Sequence, residues 1–204
     1  MTTSADIQAV DLRSSRAGSV RELLAIALPM LASHACETVM TFTDRLFLSR
    51  LGPEQMSAAM AGGLTSFMMM TFFMGLIGYA TALVAQFLGS GQRDRCALAL
   101  TQAALIALVA WPVIVLARPL AHGMFELAGV APEQLAPQKL HFDIVVCAAG
   151  VGLLRVALSS FFSGIGRTGM VMVSAVAAMV VNIFMNYVLI ALTAVGRPGD
   201  LPRI

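Results

Sequence analysis

Residues 55–92 read QMSAAMAGGLTSFMMMTFFMGLIGYATALVAQFLGSGQ, 38 consecutive positions without one acidic or basic side chain. A helix exposed to water needs a polar face, and this stretch supplies only scattered hydroxyls and amides. At about 1.5 Å per residue it makes roughly 57 Å of helix, against about 30 Å of bilayer hydrocarbon. That is too long for one crossing and too short for two crossings plus a turn. A single long helix over about 56–87, projecting past the membrane, is therefore expected, with Gly89, Ser90 and Gly91 as the turn after it.

The flanks repeat the pattern. Upstream, Leu23–Leu51 is apolar in its first half and more polar in its second, predicting a helix over about 21–48. Pro29 inside it removes one backbone hydrogen bond and favours a kink, so it is the expected hinge. Downstream, Cys96–Ala117 lies between Arg95 and Arg118 and predicts a third span over about 95–117. Residues 118–139 contain Pro119, Gly129, Pro132 and Pro137 with both charge signs, and read as a connector with room for a short interfacial helix. A fourth span over about 140–162 contains Arg155. Gly164–Gly169 forms a turn, and a fifth span over about 170–193 ends before Gly196-Arg197-Pro198-Gly199-Asp200. The expected architecture is an all-α integral membrane protein of five transmembrane helices in one domain, 21–196. A polar cytoplasmic tail (1–20) and a short tail (197–204) flank it.

Composition agrees. Of 204 residues, 58% are hydrophobic and 12% charged, with a mean hydropathy of +0.84. Soluble domains hold about 45–50% apolar and about 25% charged residues. Disorder, a solvated nucleic-acid reader and an ordinary soluble enzyme are excluded, and the net charge of +2 is too small to argue for a polyanionic partner. Cys36, Cys96 and Cys147 are far apart and form no CxxC, so they are expected to pack as small apolar residues. No cleavable leader is expected; the first apolar stretch would act as the insertion signal. Basic residues divide six against six between the two sides; without the C-terminal tail the division is six against four, favouring an inside N-terminus.

Four polar residues of the first helix stand out. His34, Glu37, Thr41 and Asp44 follow a 3-4-3 spacing and share one face. A carboxylate near the bilayer centre costs roughly 2.5–3.5 kcal/mol, so this stripe should face a protein interior or a wet cavity. On the fifth helix, Asn182 and Asn186 are one turn apart. They suit either interhelical hydrogen bonds or, with the carboxylates, a hard-oxygen site for a proton or small cation. Asp44 could equally form an interfacial ion cluster with Arg45 and Arg50. The HxxE pair of His34 and Glu37 lacks further ligands, so no metal site is expected. Arg155 needs a partner: Asp143 is twelve residues away, roughly 18 Å along the helix, leaving a carboxylate of the first helix or snorkelling to the interface. The chain has 14 methionines, ordinary in membrane helices but also suited to promiscuous apolar contacts. His34, Met40, Thr41 and Met69 are the expected lining of a substrate cavity.

Several segments resemble the N-terminal lobe of multidrug and toxic-compound extrusion (MATE) transporters. These are residues 23–29 (LLAIALP), Thr43–Gly52 (TDRLFLSRLG), Val84–Gly91 (VAQFLGSG), Gly164–Thr168 (GIGRT) and Val181–Tyr187 (VNIFMNY), in that order. The resemblance implies antiport of drugs or organic cations against H+ or Na+ across the inner membrane, with the coupling ion and no other cofactor. It places Asp44 at the family's cation site with Asn182 and Asn186 lining the same cavity. It leaves Glu37 as a departure, since many relatives have glutamine there. It also implies a dozen helices in two lobes, of which five are expected here, without the sixth. A second lobe or chain would then be required for transport. A lipid-linked saccharide flippase of the wider superfamily and a non-transporting membrane subunit are the alternative readings. No nucleophile–base arrangement points to an enzyme.

Overall fold

A computed structural model describes residues 20–50 and 52–196; the expected tails, 1–19 and 197–204, lie outside the described residues. The elements are α1 (Val20–Ser49), α2 (Pro53–Gly78), α3 (Ala80–Gly89), α4 (Arg93–Leu116), α5 (Arg118–Leu127), α6 (Pro132–Gly164) and α7 (Thr168–Gly196). Five stretches are long and apolar enough to cross a membrane: α1, α2 with α3, α4, α6 and α7. The protein is an all-α membrane protein, as its charge-free runs require.

Two boundaries differ from the sequence reading. The second span is interrupted at Tyr79, which keeps right-handed helical angles (φ −59°, ψ −22°). Its N–H donates to the Gly75 carbonyl at 3.2 Å, and Leu83 N–H donates to its carbonyl at 3.3 Å. The axis therefore continues through a local fault beside Gly75 and Gly78, residues with poor helix propensity. The fourth span begins at Pro132, eight positions before the expected 140, so the second half of the supposed connector is helical. Proline is suited to a first helical position, where no N–H partner is needed, and Glu133 in the first turn suits the helix dipole. The first half of that connector forms α5.

α6 is the centre of the fold. Gln138, Phe142, Val146, Ala149, Leu153, Ala157, Ser160 and Gly164 are buried along it at three- and four-residue intervals. α2, α4 and α3 pack against it. α4 presents a matching seam of Cys96, Ala99, Ala103, Ala107, Ala110 and Ile114. Small residues let membrane helices approach closely. At Gly62 an added Cβ would lie 2.9 Å from the Gln138 carbonyl oxygen, and at Gly164 one would lie 2.7 Å from Val84 Cβ. α5 is pinned by Phe125, edge-on to Phe142 at 5.6 Å.

α1 and α7 behave differently. They pack along each other and touch the rest only lightly, α1 through α2 and one side-chain contact with α6, and α7 through α6. Among their described residues only Ser33 and Thr168 are buried. The hydroxyls of Ser33, Thr38, Thr41 and Thr43 each donate to the carbonyl four residues back, beginning with Ser33 to Pro29 at 2.9 Å. Such bonds bend helices slightly, and here they start at the proline expected to act as the hinge.

Candidate ion and substrate site

The α1–α7 seam is polar where it matters. Asp44 projects from the last turns of α1 toward α7. Its Oδ1 accepts hydrogen bonds from Asn182 Nδ2 at 3.0 Å and Asn186 Nδ2 at 2.5 Å. Asn186 Nδ2 also donates to Asn182 Oδ1 at 3.3 Å. One turn of helix between the asparagines puts both amides on one side of α7, and that spacing is why a single carboxylate meets both. The pairing brings together three of the four residues expected at a cation site.

The fourth goes elsewhere. Glu37, two turns N-terminal to Asp44, accepts a hydrogen bond from Arg155 Nη1 of α6 at 2.9 Å. Its other oxygen lies 3.4 Å from His34 Nδ1. Glu37 is thus the partner Arg155 needs, and it is not hydrogen-bonded to the Asp44–Asn182–Asn186 cluster. The 3-4-3 stripe curves round α1, and its two acids point to different neighbours. Asp143 is paired away from Arg155 as well, with His122 Nε2 at 3.1 Å and Arg118 Nη1 at 3.7 Å.

A shallow, open depression runs along one face of α1, bordered by His34, Glu37, Thr38, Thr41, Phe42 and Arg45. His34 and Thr41, two of the four residues expected to line a substrate cavity, border it. Met40 is half-buried and not part of the lining. Met69 is turned from it altogether, packed against the buried core around α6. Thr38, Phe42 and Arg45 were not anticipated. The signal that finds them is the one used for the stripe, because 34, 37, 38, 41, 42 and 45 continue one helical face.

A second set of charges ties α5 to α6. Lys139 Nζ donates to Glu126 Oε1 at 2.6 Å. That hydrogen bond, with the lysine's charge, holds the Glu126 carboxyl below its ordinary range.

The MatE family profile matches residues 29–188, a span that contains Glu37, Asp44, Arg155, Asn182 and Asn186. The chain belongs to the MatE family. It is similar to the multidrug resistance protein PmpM of Pseudomonas aeruginosa, 28% identical over 185 residues, 88% of this chain and 39% of that protein. It is also similar to two proteins named probable multidrug resistance protein NorM. The one from Pseudomonas syringae pv. tomato is 31% identical over 82% of this chain and 36% of its own length. The one from Bradyrhizobium diazoefficiens is 30% identical over 83% of this chain and 36% of its own length. The MatE chain thus spans less than two-fifths of these relatives. No solved structure matches it at a significant level.

Proposed function

We propose that this MatE chain is the ion-binding portion of a multidrug efflux transporter of the inner membrane, exporting drugs or organic cations in exchange for H+ or Na+. The observation that carries the reading is the Asp44 carboxylate held by two α7 amides across the seam between α1 and α7. The names of the relatives, all multidrug resistance proteins, supply the substrate class.

The chemistry follows from the ligand types. With no cation bound, each asparagine offers its N–H2 to the carboxylate. Turning an amide by 180° exchanges that donor for an oxygen. A carboxylate with two amide oxygens is a hard-oxygen set suited to Na+, and a proton on Asp44 instead removes the charge that both amides satisfy. Either ion replaces the contacts that hold α1 against α7. Ion occupancy thereby shifts the balance between two packings of that pair, with Pro29 as the bending point. Export by alternating access needs two halves that move against each other, so a second lobe or chain is the required partner. The flippase alternative needs Arg155 for a pyrophosphate, and that guanidinium is engaged by Glu37.

The test is Asp44→Asn in the transporter formed by this lobe and its second half, at equal expression in an efflux-deficient host. Ion-driven drug extrusion should be lost. Undiminished extrusion by the variant would rule out the assigned role.

A further inference from the structure

Asp44 reaches both α7 amides only if α1 holds one rotational setting, and a second polar contact of α1 is placed to fix it. Among the described residues, Glu37 and Asp44 are the α1 side chains hydrogen-bonded to another helix. The hydroxyls between them, Thr38, Thr41 and Thr43, turn back to carbonyls of α1 itself. Glu37 is held on both sides: one carboxylate oxygen accepts from Arg155 Nη1 at 2.9 Å, and the other lies 3.4 Å from His34 Nδ1. Each member of the Glu37–Arg155 pair is at least nine residues, about 13 Å, from either end of its span. A charge at that depth is costly without its partner, so the pair is a durable tie. Arg155 belongs to α6, between the buried Leu153 and Ala157, and its backbone is fixed by the packed region.

Seven residues on a 3.6-residue helix return to within about 20° of the same direction. Glu37 and Asp44 hence leave α1 along nearly one line, about 10 Å apart. Turning α1 about its axis moves both carboxylates together, and sliding it moves both in depth. Beyond the Arg155 contact, α1 meets the packed region through a light contact with α2.

We propose that Arg155 is a positioning residue for the ion site: by holding Glu37 it fixes the rotation and depth of α1 at which Asp44 meets Asn182 and Asn186. The proposal rests on the ion-site reading of Asp44 and adds to it the pair that sets its geometry. Neither Glu37 nor Arg155 touches the ion. Their charges cancel, so the tie acts through placement and not through a net field at Asp44. One guanidinium nitrogen carries the contact, a geometry that a lysine ammonium can reproduce.

The test uses the chain in lipid nanodiscs, with Cys36, Cys96 and Cys147 replaced by alanine and spin labels at Leu46→Cys and Leu189→Cys, exposed positions near Asp44 and Asn186. Electron paramagnetic resonance should give one narrow distance distribution. It should be lost in Glu37→Gln, in Arg155→Gln and in the double variant, and kept in Arg155→Lys. The double variant leaves no unpaired charge in the membrane, so it decides the matter should a single variant fail to fold. The second readout is the infrared carboxyl band of Asp44, stepped in Na+ or pH. Its half-saturating ion concentration should move about three- to tenfold in the double variant, the worth of one hydrogen bond, although the net charge is unchanged. The proposal is overturned if the double variant keeps the narrow distribution or leaves that concentration unmoved. Opposite shifts in the two single variants, with none in the double, would mean that charge and not placement connects the pair to Asp44. Absence of the band from the unsubstituted chain would refute the ion-site reading instead, and the distance distributions would still decide whether Arg155 positions α1.

Discussion

The helices from α2 to α6 and the pair formed by α1 and α7 are built on different principles. In the first region, small residues and a few large ones interlock around α6, and nearly all the buried side chains of the described structure lie there. In the second, two long apolar helices meet with almost nothing buried and are joined by carboxylate and amide groups. Close packing gives one well-defined arrangement, because every displacement loses many contacts at once. A seam held by a few polar contacts can be rearranged by a single ion, because the ion replaces those contacts. The residues of the proposed ion site, Asp44, Asn182 and Asn186, are on α1 and α7, the side of the molecule where that contrast favours rearrangement.

Truncating one aromatic ring on each side breaks the comparison most forcefully. Phe142 is fully buried under α5, and Phe142→Ala should cost about 3–5 kcal/mol. Phe42 is 66% exposed on α1, and Phe42→Ala should stay within about 0.5 kcal/mol. Unfolding in mixed micelles, followed by circular dichroism, measures both; equal losses would erase the distinction between the regions.

A smaller effect is expected from overfilling the packed side. Gly164→Val places a branched carbon where even a Cβ would sit 2.7 Å from Val84 and 2.8 Å from the Thr81 carbonyl oxygen. It should destabilise by about 1–3 kcal/mol in the same assay. At Gly75 an added Cβ has nothing within 4 Å, and Gly75→Ala should not destabilise.

The smallest effect concerns the α5–α6 tether. Glu126 titrates below its ordinary range because of Lys139. Its contribution to stability is therefore complete above the usual carboxylate value of about 4.3 and is lost as pH falls through the lowered value. Lys139→Met should flatten that acid limb of the melting-temperature profile. The change should be slight, because Glu126 is exposed.

Much of the architecture was legible because lipid imposes a strict rule: charge-free runs of sufficient length become spans. The Asp44–Asn182–Asn186 cluster was also within reach, since the one-turn spacing on the fifth helix and the resemblance to MATE sequences point to it. Other features depend on which helix lies beside which, and spacing within one helix cannot report that. Glu37 and Asp44 are equivalent on the stripe, yet Glu37 meets Arg155 of α6 and Asp44 meets the asparagines of α7. Met69 was read as cavity lining, but its face of α2 turns to α6. The early start of α6 was hidden because Pro132 and Pro137 look like connector residues unless the first is recognised as a helix opener.

The central claim is that Asp44, and not Glu37, is the carboxylate that takes the coupling ion. Infrared difference spectroscopy of the membrane-reconstituted chain, stepping pH or Na+ concentration, reads carboxyl groups directly. The account predicts an ion-dependent carboxyl band that vanishes in Asp44→Asn and persists in Glu37→Gln. A band that persists in Asp44→Asn, or vanishes in Glu37→Gln, would contradict it.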